Sequence, residues 1–526
     1  MKKYLIALLF ALSVFAQTND DQKIELPDFV ITGIKEIDFP AKDKIKPEIS
    51  VKVDNIELQQ AEDKDPSIPD VINSDAPELL PPVFKPKDFI NGRIKLGAGI
   101  YTLPEGIFQL SGNTENFIVS GKIYGQNVTD YVDRAGVTSS GAGLLSEYNL
   151  GNNSTFLPGL KLKFSGNLER ESAGFFASDT VSFKRLKETG DVSFGVSNFL
   201  DENINYSADY QKLISRIKEI GLKEDQDNFK IFVSGGISEF TVKGDVSFSK
   251  VKYSNDTISN SVNFNKVYAA IVSDLIPRLI LEGGINYFWA NDASRIKLNL
   301  SAEFYIGNGI TIYGRFNPKA YLHTNRMLLS ENRYFLPDVP LVPVVNEKNS
   351  LEFSAKYQLA TYVEINAGYG LKTFSSKPFY LNDKGIFRLG LMNSVKENYL
   401  FANCLFHNGP YGKFYAGAKI NSTTFPGGNK LPYSPSFFLN LDYTYSFLFD
   451  LDAGINLKYT GSSYSDILNT IENPAFAKVD ISLLYKISPE IDALLRFENL
   501  LNRKNYIWGI YEQKPVDIIA GVEYHW

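Results

Sequence analysis

The sequence predicts an all-β protein, a large antiparallel transmembrane β-barrel of about 18–24 strands behind a disordered N-terminal tail. Three observations predict it. Most of the chain after Gly92 alternates apolar and polar residues with a period of two, in runs about as long as a tilted strand needs to cross a bilayer. Aromatic residues make up 13% of the chain, with 30 Tyr and 38 Phe, which suits the interfacial girdles and lipid-facing positions of such a barrel. The chain also stops on an aromatic at the end of an alternating run. Ile518, Ala520, Val522, Tyr524 and Trp526 lie on one face, and Asp517, Ile519, Gly521, Glu523 and His525 on the other.

Composition removes several function classes. Mean hydropathy is −0.15, and after the first residues no apolar run of about 18 occurs, which excludes a helical membrane bundle. Cys404 is the only cysteine, so neither an intramolecular disulfide framework nor a cysteine metal cluster is expected. His323, His407 and His525 lie far apart in sequence and share no metal-ligand spacing, so no metal and no cofactor is predicted. The net charge of −6 is unevenly spread: residues 17–91 carry −8, the first sixteen residues +2, and residues 92–526 balance at zero. The acidity belongs to the tail, and nothing provides the basic surface that nucleic acid requires.

In chain order, Met1–Ala16 reads as a secretory signal peptide. Lys2 and Lys3 give the positive start, Tyr4–Phe15 the apolar core, and Val14-Phe15-Ala16 the cleavage site. Residues 17–38 hold a short β-prone run after Pro27, namely Asp28, Phe29, Val30, Ile31, Thr32 and Gly33. Such an extended peptide adds a strand to a partner's exposed sheet edge. Residues 39–91 are acidic and rich in proline (Pro40, Pro47, Pro66, Pro69, Pro77, Pro81, Pro82, Pro86), the composition of a linker.

Residues 92–526 are the barrel. Ile94, Leu96, Ala98 and Ile100 alternate with Lys95, Gly97, Gly99 and Tyr101. Ile296 to Phe304, Leu451 to Tyr459 and Ile491 to Phe497 alternate in the same way. A polar face opposite a continuous apolar face suits lipid outside and water inside. Tyr210, Leu213, Ile214, Ile217 and Ile220 instead recur at helical spacing with Gly221 as a candidate cap, so this segment reads equally as a short helix or as strand and turn. With both termini in the periplasm, Ser488-Pro489-Glu490 and the region of Phe447–Phe449 are tight periplasmic turns. Asn421–Pro432, Gly461–Pro474 and Asn499–Lys514 are longer extracellular loops.

The C-terminal hundred or so residues carry a resemblance. Leu431-Pro432-Tyr433-Ser434-Pro435 precedes one late strand and Lys478-Val479-Asp480 opens the next; then comes Phe497-Glu498-Asn499-Leu500-Leu501-Asn502-Arg503-Lys504-Asn505-Tyr506. Together with the closing strand, this resembles the end of a TonB-dependent outer-membrane receptor barrel. Glu498, Asn499, Leu500, Asn502 and Tyr506 match the family's C-terminal motif, with Asn505 as an extra residue. Gly521, Tyr524 and Trp526 match the assembly signal of outer-membrane proteins, although Ile519 stands where that signal prefers a polar residue. Asp28–Gly33 resembles the TonB box. Asn499 and Asn502 are expected to satisfy backbone groups where a strand leaves the ladder.

The resemblance implies a bacterial outer-membrane location with a periplasmic tail. The partners it implies are the lipid bilayer, the barrel-assembly machinery, the TonB energy-transducing protein and an unidentified solute. It also brings an expected departure: residues 39–91 are too few, and lack the glycine-rich motifs, for the family's plug domain. A plug-less barrel taking part in solute uptake is therefore the expected function, against a passive porin or a structural or adhesive barrel without TonB coupling. No enzyme is expected. His323 has Ser330 and Asp338 nearby in sequence, but no spacing assembles a nucleophile with its base. Tyr506, Trp508 and Tyr511 read as girdle aromatics.

Overall fold

The computed structural model describes residues 89–526, apart from 115, 151–158, 199–203, 256–257, 291–292, 338–342, 360–361 and 407–411. The signal-peptide and TonB-box-like segments, and the linker up to residue 88, therefore lie outside the described residues, whereas residues 89–91, expected as the end of the linker, open the first strand. The rest is built on one closed antiparallel sheet, with two small two-stranded sheets in the connections. Each strand pairs with its sequence neighbour, and the first strand, Phe89–Gly99, pairs both with Thr102–Asn113 and with the last strand, Asp517–His525. The sheet comprises 23 strand segments. Ile310–Phe316 and Ala320–Leu322 share one neighbour, Val344–Leu359, so the circumference counts 22 strands, inside the expected range.

Closure is set by small residues and by the terminal aromatic. Gly97 faces Gly521 and Ala98 faces Ala520 across the seam. A Cβ on Gly521 would lie 2.5 Å from the Leu96 carbonyl oxygen, so only glycine lets these backbones meet at this register. Gly92 and Trp526 exchange two backbone hydrogen bonds, each 3.0 Å, and the Trp526 indole lies over Gly92.

The period-two pattern becomes two faces. Apolar side chains such as Leu96 (62% exposed) and Ile296 (71% exposed) project outward, as a lipid-facing surface requires. The inward face is polar and paired. Glu397 lies between Lys377 (2.7 Å) and Lys419 (3.3 Å), and Asp245 between Lys230 (3.3 Å) and Lys266 (3.1 Å). Arg496 joins Glu105 (2.7 Å) and Glu498 (2.8 Å). The charge balance of the body is thus made locally, side chain by side chain.

The two ends differ. At the Trp526 end many turns are tight, as at Ser238–Glu239, Pro277–Arg278, Asn308–Gly309 and Pro489–Glu490. The opposite end carries the long connections 317–343, 425–436, 461–475 and 499–516. This asymmetry makes the Trp526 end periplasmic. The turn placed near Phe447–Phe449 runs from Leu448 to Asp450, where Asp450 takes the left-handed position (φ 61°). The segment with helical spacing is strand: Asn205–Ile217 pairs throughout with Leu222–Ile237, and a single 3-10 turn, Lys218–Ile220, ends at Gly221 (φ 60°). A wall one sheet thick has no core of its own. The clusters of buried apolar side chains lie largely among the extracellular connections and the strand ends beneath them.

Candidate functional site

The extracellular connections are tied to one another across the mouth of the barrel. Val363–Asp383 and Ile386–Phe406, each 21 residues, form a hairpin that outruns its neighbours. Its tip bends over the mouth to the connection 175–183, which springs from a distant part of the wall. A Cβ on Gly385 (φ 86°) would lie 2.5 Å from the Ala177 carbonyl oxygen, so the tip needs glycine for both its conformation and its approach. The hairpin also takes on a short strand contact. Leu336 N–H donates to the Phe387 carbonyl (2.8 Å) and Phe387 N–H to the Tyr334 carbonyl (3.1 Å).

Tyr511 is the centre of this cap. It is 2% exposed, its ring stacks on Tyr334 at 3.4 Å between centroids, and its hydroxyl donates to the Gly385 carbonyl (2.6 Å). The Phe176 ring meets it edge-on at 4.9 Å. Trp508 packs against Tyr380 (5.1 Å), Tyr433 (5.3 Å) and Phe387 (5.4 Å). Tyr131 reaches in from a further connection and donates to the Glu512 carbonyl (3.0 Å). Arg185, 4% exposed, donates to the Phe335 carbonyl and lies over the Phe175 ring at 4.7 Å. Burial raises the Tyr334 and Tyr511 phenols and pushes Tyr433 up to about 12, so all three stay neutral at ordinary pH.

A helix, Asn325–Glu331, straps the cap to the wall. Thr324 caps it, its hydroxyl accepting from Met327 N–H (3.4 Å). Glu224, 2% exposed, accepts from the N–H groups of Asn325 (2.9 Å) and Arg326 (3.1 Å). Arg326 reaches Asp191 on the lumen wall (3.4 Å). At the other end Glu331 accepts from the Tyr380 hydroxyl (3.0 Å) and lies 3.0 Å from His323 Nε2. Burial pushes the Glu331 carboxyl up, but the hydrogen bonds from His323 and Tyr380, with Lys377 nearby, outweigh it and leave the group below the usual carboxylate range.

Beneath the cap lies a cavity of about 650 Å³. Its roof includes Tyr131, Tyr334, Trp508 and Tyr511; its walls include Glu171, Lys187, Arg333, Glu498 and Lys514. Glu171 lies 3.8 Å from Lys187 and 3.9 Å from Arg333, and Glu498 2.8 Å from Lys514. The result is an apolar lid over paired charges.

The sequence-predicted residues fall in different places. Asp28, Phe29, Val30, Ile31, Thr32 and Gly33 lie outside the described residues. Gly521, Tyr524 and Trp526 are in the closing strand, where the Tyr524 and Trp526 rings stack at 5.6 Å. Asn499 (φ 51°) and Asn502 (φ 47°) take left-handed positions after the strand Ile491–Glu498. Asn499 N–H donates to Asp480 (2.8 Å) and its amide to the Lys514 carbonyl (3.0 Å); Asn502 accepts from Val516 N–H (3.0 Å). Leu500 N–H donates to the Val479 carbonyl (2.8 Å), Glu498 lines the cavity, and the Tyr506 hydroxyl reaches Glu512 (3.5 Å). His323 pairs with Glu331, whereas Ser330 donates to the Met327 carbonyl (2.7 Å); Asp338 lies outside the described residues. The girdle reading of Trp508 and Tyr511 is corrected: both belong to the cap. Phe175, Phe176, Tyr334, Phe335, Tyr380 and Phe387 were not singled out by the sequence. The one available signal was the density of aromatics in segments outside alternating strands.

Comparison with solved structures identifies the fold. The chain matches the iron transporter FrpB from Neisseria meningitidis with a TM-score of 0.66 at 10% identity, over 84% of this chain and 82% of that one. It matches the siderophore receptor PiuA from Acinetobacter baumannii with a TM-score of 0.61 at 14% identity, over 84% and 82%. A mutant form of the ferric enterobactin receptor PfeA from Pseudomonas aeruginosa gives 0.61 at 10%, over 83% and 80%. The chain has the barrel fold of the TonB-dependent iron and siderophore receptors. No family model and no curated protein matches its sequence. The 22 strands around the wall match such a receptor barrel in shape, at an identity that leaves few side chains in common.

Proposed function

We propose that the chain is an outer-membrane barrel for uptake of a solute, energised through the periplasmic TonB system by the run Asp28–Gly33. The observation that carries the reading is the cap. Connections from well-separated parts of the wall meet over the mouth and roof a polar cavity, the arrangement of a binding and gating device and not of a pore left open for diffusion. The fold shared with an iron transporter and with siderophore receptors supports the same reading. Uptake then requires the solute to settle on or under the aromatic lid, the lid to move, and the paired charges of the lumen to exchange partners as the solute passes.

Ferric chelates are the first solutes to test, because the structural neighbours are named for iron and siderophores. Trp508 sits in the lid and reports binding through its fluorescence. Coupling is tested by deleting Asp28–Gly33 and measuring affinity for the periplasmic domain of a TonB protein. Loss of binding with an unchanged barrel supports the reading, and unchanged binding removes the TonB part of it.

A further inference from the structure

At the periplasmic end of the lumen, three potential metal ligands converge beside the closing seam. Asp492 comes from the strand Ile491–Glu498, and Glu523 and His525 from the last strand. Asp492 faces Glu523 directly in the ladder, and each of the three residues offers a ligand atom within 4.8 Å of the others. Asp492 is 5% exposed, and its Oδ1 has no hydrogen-bond partner among the described residues. A buried carboxylate oxygen without a donor is costly, and its presence asks for a cation.

His525 supplies the second observation. Its Nε2 lies 2.9 Å from the Pro489 carbonyl oxygen, which can only accept, so Nε2 carries the proton. In the neutral ring that leaves Nδ1 as a lone pair directed at the carboxylate, with Asp492 Oδ2 at 3.8 Å. That separation is too long for an N–H···O hydrogen bond. It is close to the spacing of two ligands on one tetrahedral cation, roughly 3.3–3.6 Å for zinc bonds of about 2.0–2.2 Å. A backbone carbonyl fixing one ring nitrogen while the other faces outward is the usual support of a metal-binding histidine.

The geometry points to a divalent transition-metal site, of the Zn²⁺ class, made by Asp492, Glu523 and His525. Glu523 completes it by turning from Arg93, now 3.6 Å away. Arg93 keeps its bond to Gln109 (2.9 Å), so it is not stranded by the exchange. The bound ion would join the last two strands to the turn Pro489–Glu490 and fix the end of the chain next to the seam. The sequence offered no hint of this, because its ligands come from two strands and only the hairpin register brings them together.

The test uses the full-length, untagged protein in detergent, stripped with a chelator, and titrated calorimetrically with ZnCl₂ and separately with CoCl₂. The expected result is one Zn²⁺ per chain, with visible absorption bands from bound Co²⁺. Asp492→Asn and His525→Gln should each weaken binding at least tenfold, and a variant combining His323→Gln and His407→Gln should bind as the parent does. Glu523→Gln, read through the Co²⁺ spectrum, provides an independent ligand test if either of the first two variants fails to assemble, as judged by heat-modifiable gel migration. The proposal is overturned by absence of saturable binding below about 100 μM, by binding that survives the ligand substitutions in folded protein, or by loss of binding in the His323/His407 variant.

Discussion

Replacing Tyr511 by alanine tests whether the cap is a cooperative packed unit. The substitution removes a ring that is 2% exposed, its stack on Tyr334, its edge contact with Phe176 and its hydrogen bond to Gly385. Truncating a buried aromatic costs about 3–5 kcal/mol, a range that already contains part of the ring-pair and hydrogen-bond terms. The barrel wall does not use this residue, so the cost falls on the cap alone. At about 1.4 kcal/mol per factor of ten, opening of the cap should become more frequent by about two to three and a half powers of ten. Hydrogen exchange in the full-length protein reads this at the amides of Leu336 and Phe387, which pair across the cap. Amides in the middle of the wall strands should keep their protection. Tyr511→Phe keeps the ring and loses only the bond to Gly385, worth about 0.5–1.5 kcal/mol, so its effect should stay near tenfold or less. If Tyr511→Ala left protection at Leu336 and Phe387 within about twofold of the parent, the connections would not be held by this packing, and the reasoning would fail.

Other expectations follow from single contacts. Gly385→Val places a Cβ at φ 86° against the Ala177 carbonyl and should undock the hairpin tip at a cost of about 1–3 kcal/mol, seen as faster proteolysis within 499–516 while the wall stays intact. Gly521→Val brings a Cβ against Leu96 O at the seam and should reduce the yield of heat-modifiable, assembled barrel; normal assembly would show that the seam tolerates bulk. Glu331 titrates below the usual carboxylate range, so its contribution to cap stability is complete above about pH 4.3, its unfolded value, and is lost as pH falls through the lower folded value. Trp508 fluorescence should therefore report the Glu331 step below that pH, and Glu331→Gln should remove that step.

The wall was legible in the sequence because every residue of a spanning strand faces either lipid or water, and that choice is written locally. Leu96 and Ile296 announce their face without reference to any partner. The last strand was legible for the same reason. The cap was not, because its contacts join residues with no common period: Tyr131 meets Glu512, and Ala177 meets Gly385. An aromatic in a loop and an aromatic at a membrane interface look alike in composition, which is why Trp508 and Tyr511 read as girdle residues. The helix Asn325–Glu331 spans only about two turns, too short for its periodicity to stand out, and Thr324 was its one local signal. In the opposite direction, the helical spacing of Tyr210 to Ile220 was overruled by cross-strand pairing along the whole of Asn205–Ile217. The cluster of Asp492, Glu523 and His525 was hidden because the histidines were weighed against one another in sequence, not against carboxylates across a hairpin.

Conductance of the purified full-length protein in planar bilayers tests the account most directly, measured for the parent, for Tyr511→Ala and for a variant lacking most of the connection 499–516. A mouth closed by the cap gives a parent with little steady conductance, brief openings in Tyr511→Ala, and large, lasting openings when the connection is removed. A parent that forms a large, permanently open channel, indifferent to both changes, would contradict a mouth closed by its own loops and leave a passive pore in its place.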